Sequence, residues 1–363
     1  MRIVVVGASL AGLRAAQALR AAGHADEVVV IGDEARAPYT RPPLSKELLA
    51  GAHTIEQCDF PSGEVDVTWR LGAAAVGLDR AAREVVLADG SRVGYDRVIV
   101  ATGCRARTWS GPGAELDGLH TLRDLDDALA LRAALTDGTP RVAVVGAGFV
   151  GAEVASTARR LGLDVTLIDV APHPLLPLGP LLGERCAELH RAEGVEMRLA
   201  TGVAGFDGDA EDRVRSVRLA DGSAVAADVV VVALGAIPNT EWLADSGLTL
   251  NPGLVCDATL TSLDDPDVLG AGDVVSWPHP LAAGETIRVE HWTNAAEQGA
   301  AAARNALAPP AERTPYVAAP YFWSDQYDVK IQAAGLPGRA QRVEFVEPDV
   351  AVGISEGRVV SVV

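Results

Sequence analysis

Several short stretches are apolar without alternation: residues 3–6, 28–31, 142–145, 165–168 and 229–233. Runs of β-branched residues this short fit strands buried on both faces, as in a parallel sheet. A glycine turn follows the first run. After it, residues 11–22 place Ala, Leu and Arg at helical spacing, and Gly23 stands where a C-cap is expected. The same order of strand, glycine turn, helix and strand returns at residues 142–168, with its helix running to Leu161. Further helices are expected at residues 124–134 and 293–307. Residues 85–88 and 98–101 read as short strands, and Asp89-Gly90 as a turn. The proline-rich stretch 37–43 breaks any regular element. Pro309-Pro310 reads as a linker, and residues 315–363 read as strand-rich with turns at Pro337-Gly338 and Glu356-Gly357. The longest apolar run, near residues 229–237, falls short of the ~18 residues a membrane span needs.

One such unit is ordinary; two imply either two dinucleotide-binding domains or one duplicated unit. Gly111-Pro112-Gly113 looks like a crossing between them. The expected fold is therefore α/β, with two Rossmann-like domains and a small, short α+β C-terminal domain. The first domain is expected to be discontinuous, residues 1–111 with 236–312, the second to span 112–235, and the last 313–363.

Composition narrows the chemistry. The chain has 363 residues, 48% hydrophobic and 22% charged, which excludes a disordered or fibrous protein. A net charge of −18 argues against nucleic acid or an anionic membrane as the main partner. The start is faintly like a signal peptide, but no cleavage region follows the first apolar run, so the expected location is cytoplasmic. Cys58, Cys104, Cys186 and Cys256 show no CxxC or CxxxxC spacing, and the seven His show no metal-ligand spacing. No metal is expected. Lysine occurs only at Lys46 and Lys330; almost every other cation is Arg.

The second glycine motif, Gly146-Ala147-Gly148-Phe149-Val150-Gly151, is regular. Gly146 permits the turn, Gly148 the approach of a pyrophosphate, and Gly151 the packing of helix on strand, with the anion on the helix N-terminus. Asp169 follows at about the ~20-residue spacing of a ribose-binding carboxylate. It would repel a 2′-phosphate, which favours NADH over NADPH. The first motif, Gly7-Ala8-Ser9-Leu10-Ala11-Gly12, carries Ser9 at the middle glycine. Asp33 or Glu34 could hold its ribose. Two such sites suggest one tightly held flavin and one exchangeable nicotinamide.

Seven segments carry a closer resemblance: Gly7 to Gly12, Arg41-Pro42-Pro43-Leu44-Ser45-Lys46, Ala101-Thr102-Gly103, Gly146 to Gly151 with Glu153, Gly272-Asp273, Glu290-His291-Trp292, and Phe322-Trp323-Ser324-Asp325-Gln326-Tyr327. In their order the chain resembles the NADH-dependent ferredoxin reductases of oxygenase systems, flavoproteins of glutathione-reductase-like fold. That resemblance implies FAD and NAD as cofactors, a [2Fe–2S] ferredoxin as acceptor, and a monomer or homodimer. It places Gly7, Ser9, Ala11, Gly12 and Asp33 at the FAD pyrophosphate and ribose. Arg41 and Lys46 would stand beside the flavin ring, and Val76 would hold the adenine end through its backbone. Ala101, Thr102, Gly103, Arg123, Gly272 and Asp273 would line the rest, with His291 and Trp292 by the pyrimidine end. Glu153 would pair with Lys46 across the nicotinamide pocket, with Gly235, Val150 and Asp169 also on the NAD side.

The implied reaction is hydride transfer from NADH to FAD N5, then single electrons to the ferredoxin. It needs no nucleophile, and none is patterned in the sequence. Disulfide reductase chemistry lacks its cysteine pair. An NADH oxidase, a nitrite-reductase-type flavoprotein and a redox-responsive binding flavoprotein of the apoptosis-inducing-factor type stay open. Because ferredoxins are typically acidic, a −18 partner needs a local basic patch; Arg288, Arg304, Lys330, Arg339 and Arg342 are the candidates.

Overall fold

The computed structural model describes residues 1–60 and 65–363. Two five-stranded parallel sheets organise the first 300 residues, and they are built alike. In the first, Ile3–Val6 lies between Val28–Ile31 and Arg97–Val100, with Thr68–Arg70 and Val268–Gly270 at the edges. In the second, Val142–Val145 lies between Val165–Ile168 and Val229–Val232, flanked by Glu196–Arg198 and Leu119–His120. Each central strand is fully buried, as its unbroken β-branched run requires.

Among the described residues five α-helices cover the sheets: α1 (Leu10–Ala21), α2 (Leu125–Thr136), α3 (Phe149–Arg160), α4 (Gly179–Ala192) and α5 (Trp292–Leu307). Helices α1 and α5 pack so closely that a Cβ on Gly299 would lie 2.3 Å from the Ala11 carbonyl oxygen. Asp124 caps α2 by accepting a hydrogen bond from the Asp127 N–H. Among the described residues no helix is long and apolar enough to cross a membrane.

The duplication extends beyond the sheets. Each unit carries a three-stranded antiparallel meander, Ala75–Asp79, Glu84–Leu87, Arg92–Gly94 in one and Val203–Gly208, Val214–Leu219, Ala224–Ala226 in the other. Both turn on the same five residues, Leu-Ala-Asp-Gly-Ser, at residues 87–91 and 219–223. In both, the aspartate accepts from the serine N–H, and the glycine adopts a positive φ, 83° and 86°. The chain passes between the units twice, and the two passages pair as an antiparallel two-stranded ribbon, Cys104–Ala106 with Ala236–Pro238.

The last unit is a five-stranded antiparallel sheet, ordered Tyr321–Gln326, Val329–Gly335, Arg358–Val362, Val350–Ser355, Arg342–Glu347. Its helical share is one short 3-10 turn, Pro337–Arg339. It sits on the helices of the second unit: Phe322, Ala333 and Ala351 share a core with Ala152 of α3 and Leu182 and Cys186 of α4.

Candidate functional site

Both glycine loops are shaped by close backbone approach. In the first, Gly7 adopts a φ of 123°, and a Cβ there would lie 2.1 Å from the Ala101 carbonyl oxygen. A Cβ on Gly12 would meet the Gly7 oxygen at 1.8 Å, so the first turn of α1 can lie against the loop only with a glycine at that position. The second loop repeats this: Gly146 against Ala233 at 2.2 Å, and Gly151 against the Gly146 oxygen at 1.9 Å. Gly148 differs, because a Cβ there would meet nothing within 4 Å. Its missing side chain therefore leaves open space over the N-terminus of α3, with no acidic residue in that first turn. Ser9 occupies the matching place before α1, and its hydroxyl makes no capping bond. Two helix N-termini with free N–H groups and an open cradle suit two pyrophosphates.

A cavity of about 720 Å³ opens in front of the first loop. Gly7, Ser9, Ala11, Asp33, Arg41, Ala101, Thr102, Gly103, Arg123, Gly272, Asp273 and Trp292 line it, as do Val150 and Glu153 of α3. Asp273 is buried and accepts from the Arg123 guanidinium at 2.9 Å and from the Cys104 thiol at 3.3 Å. Burial works against the Arg123 charge, but Asp273 beside it more than offsets this and raises its pKa. Burial, helped by Asp273, likewise pushes the Cys104 thiol up, so it stays protonated and donates. Arg41 donates to the Arg123 carbonyl at 2.8 Å, pairs with Glu34, and stands 5.0 Å over the Tyr39 ring. Glu34 is thereby engaged, while the Asp33 carboxylate at the cavity accepts the Glu34 N–H at 3.0 Å.

Lys46 does not open a helix. It follows the 3-10 turn Pro42–Ser45, which brings Ser45 and Lys46 against α3. The Lys46 ammonium lies 2.7 Å from Glu153, and its side chain is 12% exposed. The same Glu153 oxygen accepts from Ser45 Oγ at 2.5 Å; the other accepts from Ser324 Oγ of the C-terminal sheet at 2.8 Å. Thr157, one turn further along α3, donates to the Ser45 carbonyl at 2.7 Å. Helical spacing thus presents Glu153 and Thr157 to one loop. A smaller pocket of about 310 Å³ adjoins this cluster; Trp292, Trp323 and both lysines of the chain line it.

Some expected positions fall elsewhere. Val76 lies one residue beyond the cavity wall, which residues 73–75 form, and its side chain is 52% exposed. His291 precedes α5 outside the cavity, packed 4.9 Å from Phe322, and burial pushes its pKa down to about 4. The Asp169 carboxylate accepts from the N–H groups of Ala147, at 2.5 Å, and Ala171, at 2.7 Å, so it braces the second glycine loop from the end of its strand. Gly235 turns with a φ of 85° and has open space where a Cβ would go.

The basic patch is not formed. Arg288 pairs with Glu290, Lys330 with Asp325, Arg339 with Glu285 and Arg342 with Glu344. Of the five candidates only Arg304 has no acidic partner among the described residues. Glu290 and Glu344 stand two residues from the cations they cancel and Asp325 stands five away across a hairpin; only Glu285 comes from a distant segment.

Sequence reasoning assigned no role to Ser45, Ser324, Thr157, Cys104 or Asn239. Asn239 donates to the Thr102 carbonyl at 2.9 Å, tying the two-stranded ribbon between units to the cavity wall. Gln298, fully buried in α5, accepts from the Gly272 N–H at 2.8 Å. The four cysteines are free and buried. Among the described residues no group of His, Cys, Asp and Glu could hold a metal ion.

Two Rossmann units built alike, each with a glycine loop at a helix N-terminus and joined by the largely buried Lys46–Glu153 pair, define a flavin- and nicotinamide-using oxidoreductase. The pyridine nucleotide-disulphide oxidoreductase family model matches residues 1–299, and a reductase C-terminal model matches 321–362. The chain belongs to the pyridine nucleotide-disulphide oxidoreductase family, and it is a flavoprotein oxidoreductase. It is 37% identical to rhodocoxin reductase of Rhodococcus erythropolis over 94% of this chain and 79% of that protein. It is 38% identical to the biphenyl dioxygenase system ferredoxin–NAD(+) reductase component of Paraburkholderia xenovorans, over 92% and 80%. The crystal structure of the ferredoxin reductase for the CYP199A2 system from Rhodopseudomonas palustris superposes with a TM-score of 0.93, at 32% identity, over 99% of this chain and 90% of that one.

FAD and NAD(H) are the cofactors of this family. The residues present fit them. Ser9 and Gly148 leave the two cradles open, and the cavity in front of the first is bounded by Asp33, Arg123 and Asp273. Trp292 on its wall carries an indole N–H with no partner among the described residues, a donor left for a ligand.

Proposed function

We propose that the chain is an NADH-dependent ferredoxin reductase, cytoplasmic, serving the ferredoxin of a cytochrome P450 or Rieske oxygenase. The observation that carries this reading is the Lys46–Glu153 pair at 2.7 Å between the FAD-side loop and the NAD-side helix, in a loop that holds Ser45 and no thiol. Bound in the cavity, FAD would supply the acceptance of a hydride from NADH and its release as single electrons. The chain's residues hold, orient and shield. The α1 N-terminus and Ser9 would receive the FAD pyrophosphate, Asp33 a ribose, and Asp273 with Arg123 the polyol chain. Gly148 and the α3 N-terminus would receive the NADH pyrophosphate. Asp169 puts a carboxylate where a 2′-phosphate would need a cation, which supports NADH over NADPH.

Lys46 brings a compact positive charge to the junction of the two sites, where negative charge builds up as electrons arrive. Glu153 keeps that largely buried ammonium compensated, since an unpaired interior charge costs several kcal/mol. No general acid or nucleophile is required. Cytochrome c reduction by NADH, measured with and without an added [2Fe–2S] ferredoxin, tests the reading. Ferredoxin should accelerate turnover; NADH consumption indifferent to ferredoxin would overturn it.

A further inference from the structure

Glu153 is held from two sides, and the side away from Lys46 leads into a buried chain of hydrogen bonds that the proposed reaction does not by itself require. Ser324 Oγ donates to Glu153 at 2.8 Å. It accepts from the Gln326 amide nitrogen at 3.1 Å. The Gln326 carbonyl oxygen faces His190 Nε2 at 3.1 Å, and His190 Nδ1 faces the Tyr327 hydroxyl at 2.9 Å. Ser324, Gln326 and His190 are each fully buried.

The donors and acceptors admit one consistent direction. A carboxylate only accepts, so Ser324 donates to it. Ser324 then receives the amide N–H of Gln326, which turns the amide oxygen toward His190. His190 must therefore carry its proton on Nε2 and accept from Tyr327 on Nδ1. Every hydrogen in the chain points toward Glu153. Burial pushes His190 down to about 4, so it is neutral at pH 7, as this arrangement needs. Aligned bonds of this kind strengthen one another in a low dielectric.

The chain also crosses units. His190 lies on α4 of the NAD-side unit, while Ser324 and Gln326 lie on one strand of the C-terminal sheet, two residues apart and on the same face. Ser156 of α3 accepts from the Tyr327 N–H at 2.7 Å, which fixes the end of that strand to the helix bearing Glu153.

We propose that Ser324, Gln326 and His190 are positioning residues, which hold the Glu153 carboxylate in the orientation that keeps Lys46 at the junction of the two cofactor sites. The C-terminal sheet is then part of the hydride-transfer machinery. This proposal rests on the functional reading above, but its structural half does not.

The test uses the holoenzyme and three variants, Ser324→Ala, Ser324→Thr and Gln326→Met. NADH-driven bleaching of the flavin should slow by about tenfold in Ser324→Ala and Gln326→Met, because displacing a reacting group by a fraction of an ångström carries costs of that order. The KM for NADH should change little. Ser324→Thr keeps the hydroxyl but overpacks a fully buried site. It should therefore be the less stable of the two serine variants to heat and the faster in bleaching. A purely structural role predicts that the two rankings agree, and that result would overturn the proposal. The second readout is the ε-13C NMR signal of lysine, of which the chain gives two. The Lys46 signal should move in Ser324→Ala and Gln326→Met while that of Lys330 stays. An unmoved Lys46 signal in folded, FAD-loaded variants would also overturn it. Should the unsubstituted enzyme not bleach with NADH, the functional reading fails, and the lysine spectrum still decides the network.

Discussion

Replacing Lys46 by methionine tests how the two cofactor units are joined. At 2.7 Å and an effective dielectric of ~20, the ammonium and carboxylate attract by about 6 kcal/mol. Desolvating both groups cancels much of this, so the net value of the pair is far smaller. Removing only the lysine is different. Glu153 then stays buried with Ser45 and Ser324 as its donors. Breaking one side of a buried pair costs about 3–5 kcal/mol, and two surviving hydroxyl donors place this case near the lower end, about 3 kcal/mol. At ~2 °C per kcal/mol that is a fall of about 6 °C in Tm. The double variant Lys46→Met with Glu153→Gln removes both charges and should recover more than half of the loss. Thermal unfolding of the four proteins, followed by release of flavin fluorescence, completes the cycle. A drop below about 1 °C in Lys46→Met, or losses that add in the double variant, would refute the reasoning.

Three further predictions follow from the geometry. Gly148→Ala puts a methyl group into open space and should leave Tm unchanged while raising the KM for NADH several-fold; Gly151→Ala, aimed at an oxygen 1.9 Å away, should destabilise instead. A Gly148→Ala protein with an unchanged KM would show that no pyrophosphate sits there. Asp169→Asn should narrow the preference for NADH over NADPH by about tenfold, measured as the ratio of kcat/KM values, because the charge that repels a 2′-phosphate is gone; an unchanged ratio would remove Asp169 from specificity. The third concerns acid. His190 and His291 are both pushed down to about 4 by burial, whereas the unfolded chain takes up protons near 6.5. The unfolded state therefore binds more protons between these values. Stability is full above pH 6.5 and falls as pH drops toward 4, by up to about 1.4 kcal/mol per unit for each histidine. His190→Gln should flatten the curve of Tm against pH between 7 and 5; a wild-type curve already flat there would contradict the assignment.

The paired sheets were legible because their strands are unbroken β-branched runs and their turns demand glycine at Gly7, Gly12, Gly146 and Gly151. Both units announced themselves by local pattern. The meanders could have been read too, since residues 87–91 and 219–223 are the same five residues, a signal at fixed place in each unit. Helix α4 was hidden by Gly179, Pro180 and Gly183, which look like a loop; yet Pro180 fits a first turn, where proline lacks only an N–H that would be unpaired. Ser45, Ser324 and Gln326 could not be read from pattern. Their roles come from folding α3 between a loop more than a hundred residues before Glu153 and a strand more than a hundred and fifty after it. The basic patch failed in part for the same reason: Arg339 meets Glu285, 54 residues away, whereas the partners of Arg288 and Arg342, Glu290 and Glu344, stand two residues off and were open to a local reading.

The central claim is that electrons pass from NADH through FAD in this chain to an iron–sulfur protein. Anaerobic stopped-flow tests it directly. The FAD-loaded protein is first reduced with one equivalent of NADH, then mixed with an oxidised [2Fe–2S] ferredoxin. The account predicts that the flavin absorbance bleaches with NADH and returns on mixing, with the ferredoxin reduced at the same rate. A flavin that bleaches but is reoxidised no faster by ferredoxin than by buffer would contradict it.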